Sequence, residues 1–137
     1  MSDRIYRPLH FAITVDDMDE AIAWFEDVLN FKLRMKSEMT PMGFKAGFMD
    51  NGEGFEVEIF EPAEVKPLPE ERKLPNTDNL TIGNKHLAFK VDDLEKVHQE
   101  FVEKGIEIVM PPFDAFGLHC AFIHGPAGIL IEFIEKE

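Results

Sequence analysis

The sequence predicts an α+β fold made of two tandem β-α-β-β-β modules, and three observations lead to this prediction. Residues 10–18 (HFAITVDDM) and residues 86–94 (HLAFKVDDL) repeat one another at a constant offset of 76, with five identities in nine positions. Each copy joins a strand-like segment to an aspartate and then to apolar residues at helical spacing. After each helix, three strand-like segments are separated by turn-forming residues.

The first module is expected over about residues 5–61. Residues 9–15 predict a strand because they are rich in β-branched and aromatic side chains. Asp17 is expected to cap the following helix, with Glu20 three residues later as in a capping box. The apolar face of this helix consists of Met18, Ala21, Ile22, Phe25, Val28 and Leu29. The three further strands are expected near residues 32–39, 43–50 and 55–61.

The second module is expected over about residues 85–137. Asp93 is the predicted helix cap, and Gly105 is expected to end the helix. The apolar stripe of this helix consists of Leu94, Val97, Phe101 and Val102. The strands that follow are expected near residues 106–110, 118–124 and 129–135. The two modules together predict a single domain over residues 1–137.

Residues 62–84 join the modules and contain four of the nine prolines. This stretch is polar and irregular apart from a possible short helix near residues 69–73. One interpretation is a plain linker between the repeats. The other is a lid over a site, because long loops in compact domains are often functional.

Composition excludes several classes of protein. Of 137 residues, 45% are hydrophobic, which favours a folded domain over a disordered chain. With 14 basic and 27 acidic side chains the net charge is −13, which disfavours binding to nucleic acid. No apolar run is long enough to span a membrane, and the first residues lack the apolar core of a signal peptide. Cys120 is the only cysteine, so a cytoplasmic protein without an intrachain disulfide is expected.

One histidine and one glutamate occupy matched places in the two modules. His10 precedes Glu58 by 48 residues, and His86 precedes Glu132 by 46. Strand alternation places Glu58 and Glu132 opposite the helix-facing apolar residues of their own strands. If the modules are related by a pseudo-twofold axis, two imidazoles and two carboxylates converge. Such a set suits one divalent ion of zinc, nickel, cobalt, manganese or iron.

Three further residues are candidates for contacts to the ligands or to a substrate. Glu56 shares a strand face with Glu58 and could orient a ligand or substrate, the alternative being a solvated acid at a strand end. His119 and Phe122 lie on the predicted seventh strand and could line the site. Because His119 and His124 differ in strand parity, at most one of them is expected to face it.

At these residues the sequence resembles the vicinal oxygen chelate superfamily, which includes glyoxalase I, methylmalonyl-CoA epimerase, extradiol dioxygenases and antibiotic-resistance proteins. The resemblance covers nearly the whole chain. It rests on the paired HxAxxVDD starts, Trp24-Phe25 with the helix exit at residues 28–31, EVEIFEP around Glu58, and GPAGILIEF around Glu132. It implies an eight-stranded, incompletely closed barrel formed by the two modules.

The resemblance also implies the chemistry. The family's metal ligands correspond to His10, Glu58, His86 and Glu132, and all four are ligand types here. We therefore expect a metal-dependent lyase or isomerase of the glyoxalase I type, which chelates a small oxygenated carbonyl substrate and stabilises an enediolate-like intermediate. Glu132 is the first choice for the catalytic base and Glu58 the second. A homodimer is expected from the same resemblance.

Other members of the superfamily define the alternatives. These are a metal-dependent epimerase, a dioxygenase, and a binding or resistance protein that sequesters a small molecule without turnover. In bacterial glyoxalase I, contacts to glutathione correspond to positions that hold Thr14 and Pro62 here, which puts glutathione chemistry in doubt. The substrate, the identity of the metal, and whether one chain or a dimer builds the site stay open.

Overall fold

The computed structural model describes residues 3–136 and confirms the predicted α+β class with two tandem modules. The chain divides into two compact units, Met1–Val65 and Lys66–Glu137. Each unit contains one four-stranded sheet with an α-helix packed against it. Among the described residues, no helix is both long enough and apolar enough to cross a membrane.

The first unit follows the predicted order of elements. They are β1 (His10–Thr14), α1 (Met18–Leu29), β2 (Lys32–Ser37), β3 (Lys45–Asp50) and β4 (Glu56–Glu61). The strands lie in the order β1-β4-β3-β2, with β1 and β4 parallel and the other pairs antiparallel. The first and last strands of the module are therefore hydrogen-bonded neighbours, which brings residues far apart in sequence side by side.

Two carboxylates hold the beginning of α1. The Asp17 side chain accepts a hydrogen bond from the Glu20 backbone N–H at 3.0 Å, as the capping box predicts. The Met18 N–H donates to Glu61 Oε1 at 2.7 Å, so the end of β4 is attached to the start of the helix. Acidic side chains at this position also interact favourably with the positive end of the helix dipole. The helix ends at Asn30, whose left-handed φ of 57° suits asparagine.

The second unit repeats this arrangement after two short helical segments. Its elements are a 3₁₀ turn (Glu70–Arg72), α2 (Pro75–Asp78), β5 (Leu87–Val91), α3 (Leu94–Glu103), β6 (Ile108–Ala115), β7 (Leu118–His124), a second 3₁₀ turn (Pro126–Gly128) and β8 (Leu130–Glu135). The strand order β5-β8-β7-β6 matches that of the first unit. Asp93 caps α3 by accepting from the Lys96 N–H, and Glu135 accepts from the Leu94 N–H.

The sixth strand differs from the sequence prediction. We expected it over residues 106–110, because Pro111 and Pro112 follow and proline breaks a strand ladder. Instead β6 continues to Ala115. It is an edge strand, and its register with β7 shifts on both sides of Met110, so the prolines fall in irregular pairing where no ladder donor is needed.

The segment between the sheets is ordered around one buried acid. Asp78, at the end of α2, is 1% exposed and accepts from Arg72 Nε at 2.9 Å, with Lys85 Nζ at 3.4 Å. Burial alone would raise the pKa of Asp78, but the hydrogen bonds from Arg72 and Lys85 outweigh it and hold the pKa below its usual value. The 3₁₀ turn Glu70–Arg72 falls inside the short helix expected near residues 69–73, whereas α2 was not expected.

Candidate metal-binding pairs

In the first unit, β1 and β4 bring His10 and Glu58 together. The parallel register sets Ala12 beside Glu58, and the His10 Nε2 atom lies 3.5 Å from Glu58 Oε1. On the other side of β4, Glu58 is the cross-strand neighbour of Phe48 on β3. The Phe48 ring meets the His10 ring edge-on at 5.8 Å between centroids. His10, Glu58 and Phe48 therefore form one contiguous group.

The second unit builds the same group. Ala88 lies beside Glu132 in the parallel β5–β8 register, and His86 Nε2 lies 3.0 Å from Glu132 Oε1. Phe122 on β7 is the cross-strand neighbour of Glu132, and its ring meets the His86 ring edge-on at 5.0 Å. We call His10–Glu58 and His86–Glu132 the two His–Glu pairs. Each pair also has a phenylalanine against its histidine, Phe48 in the first unit and Phe122 in the second, so the match between the units extends beyond the histidine and the glutamate.

The spacing within each pair fits two neighbouring ligands of one divalent ion. With metal–ligand bonds of about 2.1 Å, donors at a right angle are about 3.0 Å apart, and donors at a tetrahedral angle are about 3.4 Å apart. The observed Nε2–Oε1 separations are 3.5 Å and 3.0 Å. The glutamate side chains are only 21% and 13% exposed. Each pair thus offers one imidazole nitrogen and one shielded carboxylate. Within residues 3–136 no group of three or more His, Cys, Asp or Glu side chains lies close enough together to hold a metal ion.

The surroundings of the two pairs differ. In the first unit, Arg34 donates through Nε and Nη2 to the two carboxylate oxygens of Glu56, the Nη2 bond being 3.1 Å. The guanidinium also lies over the Phe48 ring, 4.8 Å from its centroid. The hydrogen bond to Glu56 raises the pKa of Arg34 further above its usual value. Glu56 is therefore ion-paired with Arg34.

In the second unit the matching positions are apolar or differently bonded. Leu130 stands two residues before Glu132, as Glu56 stands before Glu58. His124, the cross-strand neighbour of Leu130, has its Nε2 atom 2.7 Å from the Lys73 carbonyl oxygen and its Nδ1 atom 3.1 Å from Glu107. Charged groups therefore flank the first His–Glu pair, whereas leucine and a tethered histidine flank the second.

Of two other side chains on β7, His119 lies apart from the pairs, whereas Cys120 is hydrogen-bonded to Glu132. His119 is held on both ring nitrogens, by Asp114 at 2.7 Å and by Glu95 of α3 at 3.0 Å. Since Glu95 belongs to the helix, His119 lies on the helix side of β7, the opposite strand parity from Phe122. Cys120 is buried, and burial together with the Glu132 charge raises its thiol pKa to about 11, which leaves it a poor nucleophile.

Arg34 is not among the site residues predicted from the sequence. This residue stands at the point where the β2–β3 register shifts, between Leu33 and Met35. A bulge turns a side chain away from the alternation that strand parity assumes, so no spacing rule could place Arg34 beside Glu56. Glu61 and Glu135, which accept hydrogen bonds from the first N–H groups of α1 and α3, were also missed, although their separation of 74 residues equals that of Glu58 and Glu132.

Comparison with known proteins agrees with this architecture. The chain is 30% identical over 132 residues to the uncharacterized protein YwkD of Bacillus subtilis, covering 93% of this chain and 94% of that protein. It is 24% identical over 135 residues to a lactoylglutathione lyase of Neisseria meningitidis, covering 96% and 91% of the two chains. The crystal structure of a glyoxalase family protein from Enterococcus faecalis superposes with a TM-score of 0.77 at 25% identity, covering 94% and 97%. A family profile matches residues 7–133, and the chain therefore belongs to the glyoxalase/bleomycin resistance protein/dioxygenase superfamily.

Proposed function

We propose that this protein is a metal-dependent lyase or isomerase of the glyoxalase type that acts on a small oxygenated carbonyl compound. The observation that carries the proposal is the repeated His–Glu pair, with Nε2–Oε1 separations of 3.5 Å and 3.0 Å that suit a shared ion. His10, Glu58, His86 and Glu132 are the proposed ligands. Similarity to a lactoylglutathione lyase supports the reaction class.

A divalent ion in this ligand set would supply Lewis-acid stabilisation of the negative charge that develops on two neighbouring substrate oxygens. Each module contributes one imidazole and one carboxylate, so a complete set needs two modules, from one chain or from two chains of a homodimer. Phe48 and Phe122 pack edge-on against the two imidazoles and help to fix their orientation.

Glu132 is the proposed catalytic base, which removes a proton from the carbon next to the substrate carbonyl and returns it to the product. It lies between Leu130 and Ile134 on its own strand face and is 13% exposed. Glu58 is 21% exposed and has the Arg34–Glu56 ion pair beside it. The more apolar surroundings of Glu132 restrict the entry of water that would compete in the proton transfer.

Metal analysis tests the first part of the proposal. Protein purified without chelator, or reloaded with nickel, zinc or manganese, is expected to retain about one ion per four-ligand set. The variants His10→Ala and His86→Ala should each lose this ion, whereas His98→Ala, which changes a histidine of α3 outside both pairs, should keep it. A wild-type protein that cannot rebind any of these ions would exclude the metal-dependent reaction and favour the rival binding protein.

Proton abstraction tests the second part. Hydroxyacetone and the glutathione hemithioacetal of methylglyoxal are suitable probes, because exchange of their carbon-bound hydrogens in D₂O can be followed by NMR. Glu132→Gln is expected to slow metal-dependent exchange by about 10²–10⁴-fold, the usual contribution of a positioned general base. Glu58→Gln serves as the matched comparison, and full activity of Glu132→Gln would remove Glu132 as the base.

A further inference from the structure

The two His–Glu pairs are alike, but among residues 3–136 an arginine ion-paired with the neighbouring strand acid accompanies the first pair alone. Met35 faces Phe48 across β2 and β3 as Met110 faces Phe122 across β6 and β7. The residue before Met35 is Arg34, whereas the residue before Met110 is Val109. Of these two matched positions, the one in the first unit therefore holds an arginine and the one in the second a valine.

The Arg34 guanidinium and the His10 imidazole contact the same phenylalanine ring, that of Phe48. It stands 4.8 Å from the Phe48 ring centroid, and the His10 ring centroid is 5.8 Å from the same point. The distance from the guanidinium carbon of Arg34 to the His10 ring centroid is therefore at most the sum of these two distances. Glu56, which binds the guanidinium, is the register neighbour of His10 on the adjoining strand.

One edge of the guanidinium is already used. Nε and Nη2 donate side-on to the two oxygens of Glu56, and stacking on Phe48 fixes the plane of the group. The opposite, end-on edge carries the two Nη1 hydrogens and the second Nη2 hydrogen. Among the described residues no acceptor forms a hydrogen bond with that edge, and the Arg34 side chain is 48% exposed. A second planar carboxylate fits such an edge with two parallel hydrogen bonds.

Electrostatics limits the charge of the ligand. The protein carries a net charge of −13, so an anion approaching it needs a local cation. Asp50 and Glu56 both lie near Arg34. They oppose a phosphate dianion about twice as strongly as a singly charged carboxylate, because the Coulomb energy scales with the ligand charge.

We propose that Arg34 binds a carboxylate group on the substrate, so that the enzyme selects oxygenated carbonyl compounds with an anionic tail. This inference rests on the proposed function, which supplies the binding of the other end of the substrate. Arg34 acts here as a specificity-determining residue. Its rigid support by Glu56 and Phe48 reduces the side-chain entropy lost when the ligand binds.

Hydroxamates provide probes that need no turnover, because their two neighbouring oxygens chelate a divalent ion. Binding to nickel-loaded protein is measured by calorimetry for acetohydroxamate, for the monohydroxamates of succinic and glutaric acid, and for the corresponding uncharged amides. We expect the better-fitting carboxylate probe to bind at least about fivefold more tightly than its amide, as a half-exposed, charge-assisted contact predicts.

Variants separate a bound carboxylate from general charge effects. Arg34→Met should abolish the preference for carboxylate over amide, and Arg34→Lys should retain only part of it, because lysine lacks the paired donors. Lys36→Met is the matched control. It removes one positive charge from the same strand, but Lys36 binds Asp19 of α1, so the preference should be unchanged.

Two results are separable. Equal binding of carboxylate and amide probes to the wild type, or a preference that survives in Arg34→Met, would overturn the role of Arg34 while leaving the proposed function in place. Failure of nickel-loaded protein to bind acetohydroxamate at all would overturn both. Circular dichroism and nickel content of each variant establish that a lost preference does not reflect unfolding or a lost ion.

Discussion

Removal of the Asp78 carboxylate is expected to destabilise the second unit substantially. Asp78 is 1% exposed and binds two cations, Arg72 at 2.9 Å and Lys85 at 3.4 Å. Removing one partner of a fully buried ion pair costs about 3–5 kcal/mol. Arg72 and Lys85 are 28% and 23% exposed, so each freed cation regains part of its hydration. We therefore expect Asp78→Ala to lower the free energy of unfolding by about 2–3 kcal/mol.

Thermal unfolding measures this effect directly. For a chain of this size, 1 kcal/mol corresponds to about 3–4 °C in Tm, so Asp78→Ala should unfold about 8 °C below the wild type. Glu70→Gln is the matched control, because Glu70 pairs with Lys73 in the same segment but is 86% exposed. Its Tm should equal that of the wild type within error. A shift of under 2 °C in Asp78→Ala would refute the assignment of Asp78 as the anchor of this segment.

The pH dependence gives a second, independent measurement. The pKa of Asp78 is lowered in the folded protein, so its ionised form stabilises the fold at pH values above the unfolded value of about 3.9. This contribution is lost as the pH falls through the lowered folded value. The Tm difference between the wild type and Asp78→Asn should therefore be constant from about pH 6 to 8 and should disappear in strong acid. A difference that instead grew on acidification would contradict the sign of the shift.

Three further predictions concern the second unit. Hydrogen bonds to Asp114 and Glu95 raise the pKa of His119. The loss of unfolding free energy in His119→Gln should therefore be largest near pH 5.5 and should fade as the pH rises through the raised value. A loss that was largest at high pH would refute this. Cys120, with a thiol pKa of about 11, should react with Ellman's reagent at pH 8 only after denaturation, and rapid labelling of the native protein would contradict its burial. Gly125→Ala would place a methyl group 2.6 Å from a buried isoleucine side chain, and chemical denaturation should show a loss of about 1–3 kcal/mol.

The internal repeat made most of the fold predictable. A strand, an aspartate cap and an apolar helix stripe are local patterns, and finding them twice removed the ambiguity of each alone. The same repeat predicted a histidine at the start of the first strand and a glutamate on the last strand of each module; in the second module His86 lies one residue before β5. The two residues of each pair meet because β1 is hydrogen-bonded to β4 and β5 to β8. Parallel neighbours need a long connection between them, so these residues lie far apart in the sequence.

The remaining features depend on contacts that a sequence pattern does not contain. Proline normally ends a strand, yet β6 runs through Pro111 and Pro112 because it is an edge strand with shifted register. The bulge at Arg34 breaks the alternation by which faces are assigned. Asp78 resembles any surface acid in a polar, proline-rich stretch, and only the folded segment brings Arg72 and Lys85 around it.

The difference between the two His–Glu pairs bears on how a symmetric ligand set could carry out an asymmetric reaction. If both pairs hold one ion, as proposed, either glutamate could serve as the base on ligand geometry alone. Their neighbours are not equivalent, because the Arg34–Glu56 ion pair flanks Glu58 and leucine and isoleucine flank Glu132. A substrate whose carboxylate tail binds Arg34, as proposed, would have its charged end in the first unit, near Glu58. An exchange assay in which Glu58→Gln lost more activity than Glu132→Gln would contradict the assignment of Glu132 as the base, whereas the role of Arg34 is tested separately by the carboxylate and amide probes.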